Sequence, residues 1–410
     1  MTSASYEASS TFVLRRGIIA LSAAAFGSGM SMRVADPMLV RLSSDFSVPL
    51  GMAAWVVTVF GFAYGISQLF FGPLGDRYGK YLIIAWGCIA CAATALLCGL
   101  VSDFSGLLVA RSLAGATAAA VIPLSMAWIG DVVPYEDRQS VLARFLVGQI
   151  LGLSTGVLVG GWCADYLNWR SPFFLIALWF FVIGLYLVHL NRSLPNHARV
   201  LHKADGGALT RLGSEFRAVF SIQWARTVLL AVFIEGGLVF VALAFLPAHL
   251  HTVYKLSLSS AGAMVMLFGL GGLIFAVTSR VLVHRLGETG LTRYGGLLMG
   301  VALLVIAYSP QWWITLPACL CFGLGFYMLH NTLQIHATQM APERRGAAVA
   351  AFASCFFLGQ STGVAFGGAL LSFTSTDHLI AIAGLGVAFV GERFSRCLRR
   401  KVSKNLSLRA

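Results

Sequence analysis

The chain has 410 residues, of which 58% are hydrophobic and 11% charged, with a formal net charge of +13. Soluble globular chains carry about 25% charged residues, so this composition excludes an ordinary water-soluble domain and points to a lipid bilayer. A basic balance in a soluble chain would suggest nucleic acid; here Lys and Arg sit between apolar runs, which suits the orientation rule of membrane proteins instead.

Spans need about 20 mostly apolar residues each, and twelve with short loops fit this length at about 34 residues per unit. The apolar runs place them at 17–40, 51–71, 82–101, 106–130, 140–163, 172–190, 227–248, 260–282, 291–309, 312–336, 347–371 and 376–392. With both termini inside, Arg41, Arg170 and Lys255 fall in outside loops and Arg33 and Arg111 within spans. The rest of the 29 Lys and Arg fall on cytoplasmic segments, counting Arg144, Arg280 and Arg293, which lie within four residues of a span's cytoplasmic end. That lopsided distribution sets the expected orientation.

The first span follows Arg15-Arg16 and resembles a secretory signal. Its apolar run extends as far as Arg33 and Asp36-Pro37, too long for a signal core, and reads as an uncleaved first helix. On the second span, Tyr64 and Gln68 form a short polar stripe, read as substrate path or as polar glue between helices.

The loop after the second span reads Gly72-Pro-Leu-Gly-Asp76-Arg77-Tyr-Gly79-Lys80. Its glycines permit a tight turn, and an acidic group at a helix end can pair with a base or with another helix N-terminus. This loop resembles the signature of the major facilitator superfamily, G-x-L-a-D-r-x-G-r-k. The resemblance covers essentially the whole chain. It implies an all-α integral membrane fold of twelve helices, in two six-helix halves related by a pseudo-two-fold axis. By that resemblance Gly72, Asp76, Arg77, Gly79 and Lys80, with Arg344 before the eleventh span, form a cytoplasmic gate. The alternative is that Asp76 and Arg77 only solvate a turn. A degraded copy of the loop, Arg280-Val-Leu-Val-His-Arg-Leu-Gly287, follows the eighth span.

The third span holds Cys88-x-x-Cys91, a metal or redox spacing. It lies in a continuous apolar stretch without His or acidic partners. These residues are read as packing groups, and no metal or cofactor is expected.

The fourth span carries Arg111 in Leu107-x-x-x-Arg111-x-x-Ala-Gly115, similar to a second family motif with Ala114 in place of a polar residue. An intramembrane Arg costs roughly 2.5–3.5 kcal/mol and calls for a partner. Counting 1.5 Å per residue, Arg111 lies roughly 9 Å deep and Asp36 roughly 8 Å deep from the same side. Contact between Asp36 and Arg111 is therefore expected, with Arg33 as a competitor. The pair reads either as a proton switch or as a static ion pair.

The fifth span contains Gly152-Leu-Ser-Thr-Gly156-Val-Leu-Val-Gly160-Gly161, and the eleventh repeats it as Gly359-Gln-Ser-Thr-Gly363-Val-Ala-Phe-Gly367-Gly368. The offset is 207 residues, and Phe60-Gly61 recurs as Phe268-Gly269 at 208. Such small-residue stripes pack helices closely, and a role where the fifth and eleventh spans meet the opposite half is expected. The element also resembles the family's antiporter signature, but Val157 and Val364 stand where that signature has Pro. Two like halves, 1–190 and 227–410, flank a basic linker at 191–226 with a short interfacial helix at 209–220. A basic tail follows the last span.

The seventh span carries Glu235, roughly 14 Å deep and near the midplane. It reads as a group for a proton or a cationic substrate, or as a protonated, hydrogen-bonded structural residue. The tenth span presents Tyr327, His330, Asn331 and Gln334 on one helical face, as substrate path or polar glue.

Taken together, the expected protein is a monomeric secondary transporter of the bacterial inner membrane. It resembles the drug/proton antiporter-like efflux branch, moving a small organic solute against protons by alternating access. The rivals are an uptake symporter or facilitator of the same fold, and a transporter-like sensor or membrane enzyme. The last would need a soluble domain or a catalytic constellation.

Overall fold

The structure is a computed structural model, and it describes residues 3–199 and 208–407. Lys203, Gly206 and Gly207 of the expected linker lie outside the described residues, as does the tail beyond Ser407. The described residues are helical with no strand. Lipid offers backbone groups no hydrogen bonds, so a chain this apolar must satisfy them within helices.

In chain order the helices are α1 (Ser3–Arg33), α2 (Leu39–Asp45), α3 (Leu50–Ala53), α4 (Trp55–Tyr78), α5 (Lys80–Leu100), α6 (Phe104–Ala118), α7 (Val121–Val132), α8 (Tyr135–Tyr166) and α9 (Ser171–Ser193). Then come α10 (Ala208–Ser221), α11 (Gln223–Tyr254), α12 (Leu258–Tyr308), α13 (Thr315–Gln339), α14 (Arg345–Leu370) and α15 (Thr376–Ser407). Eleven helical segments among the described residues are long and apolar enough to cross a membrane. One of them, α12, has 51 residues and a break at Gly287 (φ 61°, ψ 177°). At 1.5 Å per residue it is far longer than a bilayer core of about 30 Å. It therefore holds the expected eighth and ninth spans, and the crossings number twelve.

Three spans depart from expectation. The first ends at Arg33, and Asp36–Met38 forms a 3-10 turn before α2. Pro37 has no N–H and disfavours helical geometry at the residue before it. Asp36 thus stands on a turn and not on the helix that carries Arg33. The fourth span is split into α6 and α7 around Ala119-Ala120, with Pro123 in the first turn of α7, where a missing N–H is tolerated. The last span continues well past 392 as α15, because Phe394 and Leu398 keep burying the same stripe as Ile380 and Val387.

The chain forms two compact units. One comprises Met1–Ala35 and Val59–Ser214, the other Asp36–Thr58 and Glu215–Ala410. The segment Asp36–Thr58 joins the second because its 3-10 turn packs on α11 and α12 and α3 packs on α14. A Cβ at Gly51 would lie 2.0 Å from the Gly368 carbonyl oxygen.

Inside each unit the repeat sets the helix crossings. A Cβ at Gly152 would fall 2.0 Å from the Phe26 carbonyl oxygen, and at Gly359 2.0 Å from that of Phe233. The pairs Gly156–Met30 and Gly363–Gly237 repeat the pattern one turn on, and Gly115–Phe60 and Gly323–Phe268 form another equivalent crossing. Gly152 and Gly156 thus meet α1, and Gly359, Gly363 and Gly367 meet α11, each within its own half, which corrects the expected packing for these glycines. Gly368 instead meets Gly51 of the 1–190 half, as expected. Gly160 and Gly161 are buried as well, and Gly367 faces Val241.

Replacing Gly359 by Ala should cost at least the 1–3 kcal/mol typical of overpacking, since the obstruction is main chain that cannot rotate away (about that range). Gly130, with nothing within 4 Å of its Cβ position, should accept Ala without loss. Thermal loss of the monodisperse species in detergent, followed by size exclusion, measures both. Equal melting of the two variants would refute the crossing.

Candidate functional site

The second unit is built around α11, whose residues from Val239 to Leu250 are buried at every position. A helix apolar all round sits inside a protein. Glu235 lies about one turn before this run and is fully buried. Its Oε2 is 2.9 Å from Nδ1 of His330 on α13. Its Oε1 has no hydrogen-bond partner among the described residues. A buried charge needs a partner, and His330 provides it.

Three aromatic rings surround the pair. The His330 ring is 4.9 Å from Phe326, 4.6 Å from Phe356 and 5.6 Å from Phe352. Phe352 and Phe356 come from α14, which approaches closely because Gly236 has no side chain: a Cβ there would lie 2.6 Å from the Phe356 carbonyl oxygen. The result is an acid–base pair held in apolar surroundings, able to store a proton and with a free carboxylate oxygen.

The other expected residues divide between the units. Of the α13 stripe, Tyr327 packs against Phe268 and the cluster of Phe275, Leu291 and Met328. Asn331 is half-buried and Gln334 exposed. In the first unit, buried Tyr64 stacks on Phe60, and Gln68 is buried with its Nε2 lacking a partner among the described residues. Arg111 is fully buried there. One of its terminal nitrogens donates to the Ser31 carbonyl at 3.1 Å, and its guanidinium stands 4.3 Å from the Phe60 ring and 5.7 Å from Phe173. Arg33 is buried in this unit, whereas Asp36 is buried in the other.

The expected gate loop turns at Gly79, where φ is 93°. Lys80 Nζ bridges Asp76 at 3.3 Å and Asp131 of α7 at 2.7 Å, and Arg77 covers the Tyr78 ring at 5.1 Å. Gly72 has open space around it. In the second unit Gly287 makes the equivalent turn, and Glu288 lies 3.2 Å from His336 of α13. Arg344 pairs with Glu215 at 3.1 Å.

The profile of the Major Facilitator Superfamily matches residues 21–364. The chain belongs to this superfamily; it is a multi-pass membrane transporter and not an enzyme. The uncharacterized MFS-type transporter YceJ of Bacillus subtilis is 24% identical over 387 residues, covering 92% of this chain and 94% of its own. The multidrug export protein EmrB of Haemophilus influenzae is 29% identical over 157 residues, 38% of this chain and 31% of that protein. Among solved structures, the nucleoside transporter NupG has a TM-score of 0.76 at 14% identity, covering 93% of this chain and 98% of that one, a likeness of fold alone.

Sequence reading treated Glu235 and His330 separately. They are 95 positions apart, so no local pattern joins them. Depth could have done so. Glu235 is nine residues after Arg226, near the start of α11, and His330 nine before Gln339, the end of α13; in a twelve-span topology those two ends share one side, so each residue lies roughly 14 Å in from it. Asp131, Glu288 and His336 were not singled out by sequence, because lone polar groups at helix ends are unremarkable there.

A double-mutant cycle of Glu235→Ala and His330→Ala should give a coupling of about 1–3 kcal/mol in unfolding free energy. The half-exposed Lys80–Asp131 pair should give about 1 kcal/mol or less. Chemical denaturation in mixed micelles reads both. Additivity at the first pair would break the assignment.

Proposed function

We propose that this transporter is a proton-coupled exporter of a small organic solute. The observation that carries the reading is the buried Glu235–His330 pair. With one proton shared, the two groups attract each other. A second proton leaves neutral Glu235 beside cationic His330 and removes most of that attraction. Such a pair binds differently to its neighbours in its two protonation states, which is what coupling requires. The unpartnered Oε1 and the rings of Phe326, Phe352 and Phe356 are buried together, and on opening would offer a solute a polar contact within an apolar wall.

Direction rests on the partial likeness to the multidrug export protein EmrB and on the glycine elements of α8 and α14. Val157 and Val364, where the antiporter signature has Pro, favour the second reading, an uptake symporter or facilitator. Asp36, Arg33 and Arg111 are proposed as a further proton-coupling group on their matched depths. The Asp76 loop and Arg344 are proposed as the cytoplasmic gate. Tyr64, Gln68, Tyr327, Asn331 and Gln334 are proposed to line the solute path. In this reading the protein works as a monomer in the bacterial inner membrane, with both termini cytoplasmic and the halves alternating their access.

The test uses everted vesicles holding a preformed proton gradient. Amino acids, sugars, organic acids and hydrophobic cations are screened for solute-dependent loss of that gradient. The active solute should dissipate it with the native protein. Glu235→Gln, which keeps the size but not the proton, should lower the response by about tenfold or more, in the range of a lost proton-transfer group. No response to any class, with insertion verified, rejects proton-coupled export. Solute counterflow without a gradient response assigns the facilitator instead.

A further inference from the structure

The last helix carries an exposed stripe from Ile382 to Arg400. Ile382, Leu385 and Phe389 are 52%, 60% and 65% exposed. Arg393, Arg396 and Arg400 continue the same stripe and are also exposed. The steps of three and four residues keep all six on one face of α15. The opposite face, with Ile380, Val387, Phe394 and Leu398, is buried. An exposed apolar stripe on a membrane-spanning helix faces lipid, so the arginines that prolong it face lipid too.

Their depth is readable. Counting from Thr376, Arg393 lies roughly 26 Å along the axis, Arg396 roughly 30 Å and Arg400 roughly 36 Å. A hydrocarbon core is about 30 Å thick and the headgroups extend several ångströms beyond. Arg396 and Arg400 therefore stand at headgroup level, and the long Arg393 side chain reaches it from roughly one turn below. They are also partly held in place. Glu392 accepts from Arg396 Nε at 2.7 Å and pairs with Arg293 of α12 at 3.0 Å, and the Arg393 guanidinium lies 6.0 Å from the Phe389 ring. Ser395 ties this stretch to α12 through the Thr289 carbonyl. Arg399 and Lys401 add charge beside the stripe, so bases outnumber Glu392 there.

We propose that Arg393, Arg396 and Arg400 form a binding surface for anionic phospholipid headgroups, with an acyl chain lying along Phe389, Leu385 and Ile382. Guanidinium groups match phosphate oxygens in geometry, and the apolar stripe below them matches the chain of the same lipid. This surface is independent of the transport reading.

The test is native mass spectrometry of the full chain in detergent, titrated with dioleoylphosphatidylglycerol or dioleoylphosphatidylcholine. The native protein should retain phosphatidylglycerol in preference. The triple variant Arg393→Gln, Arg396→Gln, Arg400→Gln should lose about fivefold in affinity per arginine, on the order of 100-fold in all. Phosphatidylcholine adducts should not change, and the triple Lys variant should keep most of the preference. If the Gln variant is not monodisperse, salt on the native protein decides: the preference should fall as ionic strength rises. Equal retention of both lipids, a preference untouched by salt or by the Gln variant, or binding of an oligonucleotide through the same arginines would each overturn the proposal.

Discussion

Close approach of helix backbones at glycine is the constraint on which the rest of this structure depends. In hydrocarbon, apolar side chains gain nothing by leaving lipid for protein, so packing contact and short helix–helix distances must hold a bundle together. Gly152 against Phe26 and Gly359 against Phe233 are the same crossing made twice. Gly236 against Phe356 extends the second to the level of Glu235. That approach brings the α14 rings onto His330, and the polar pair exists in that form only because the backbones are so near.

The two units handle buried charge differently. Among its contacts, Arg111 donates to a main-chain carbonyl and lies over two aromatic rings. Glu235 is held by a histidine, a side chain that can itself take up or release a proton. A carboxylate–imidazole pair suits exchange of a proton. Both lie where solvent cannot substitute for a lost partner, which makes each contact matter more than its count suggests.

The repeat survives most strictly where the backbone demands it. Gly79 and Gly287 occupy equivalent turns and both adopt positive φ, a region that side chains disfavour. The charges beside them have not kept their sign. Lys80 meets Asp131 in one unit, and Glu288 meets His336 in the other. Partly exposed pairs of this kind contribute little to stability, so their chemistry is free to diverge while the turn is not.

The sequence by itself determined the membrane class, the twelve crossings, the repeat and the superfamily. The first three follow from composition, run length or spacing along the chain, and the superfamily from the resemblance of the loop at 72–80 to a known signature. It also placed Glu235 and His330 on spans, though without joining them. Only the tertiary structure decided that they are in contact, that Gly152 and Gly359 meet α1 and α11 whereas Gly368 meets Gly51, and that Pro37 takes Asp36 off the first helix. It alone decided which face of α15 its arginines share with the lipid-facing stripe. Those outcomes depend on which helix faces lie together across scores of residues. Periodicity along one helix defines a face, but which neighbour that face meets is set by packing among all of them.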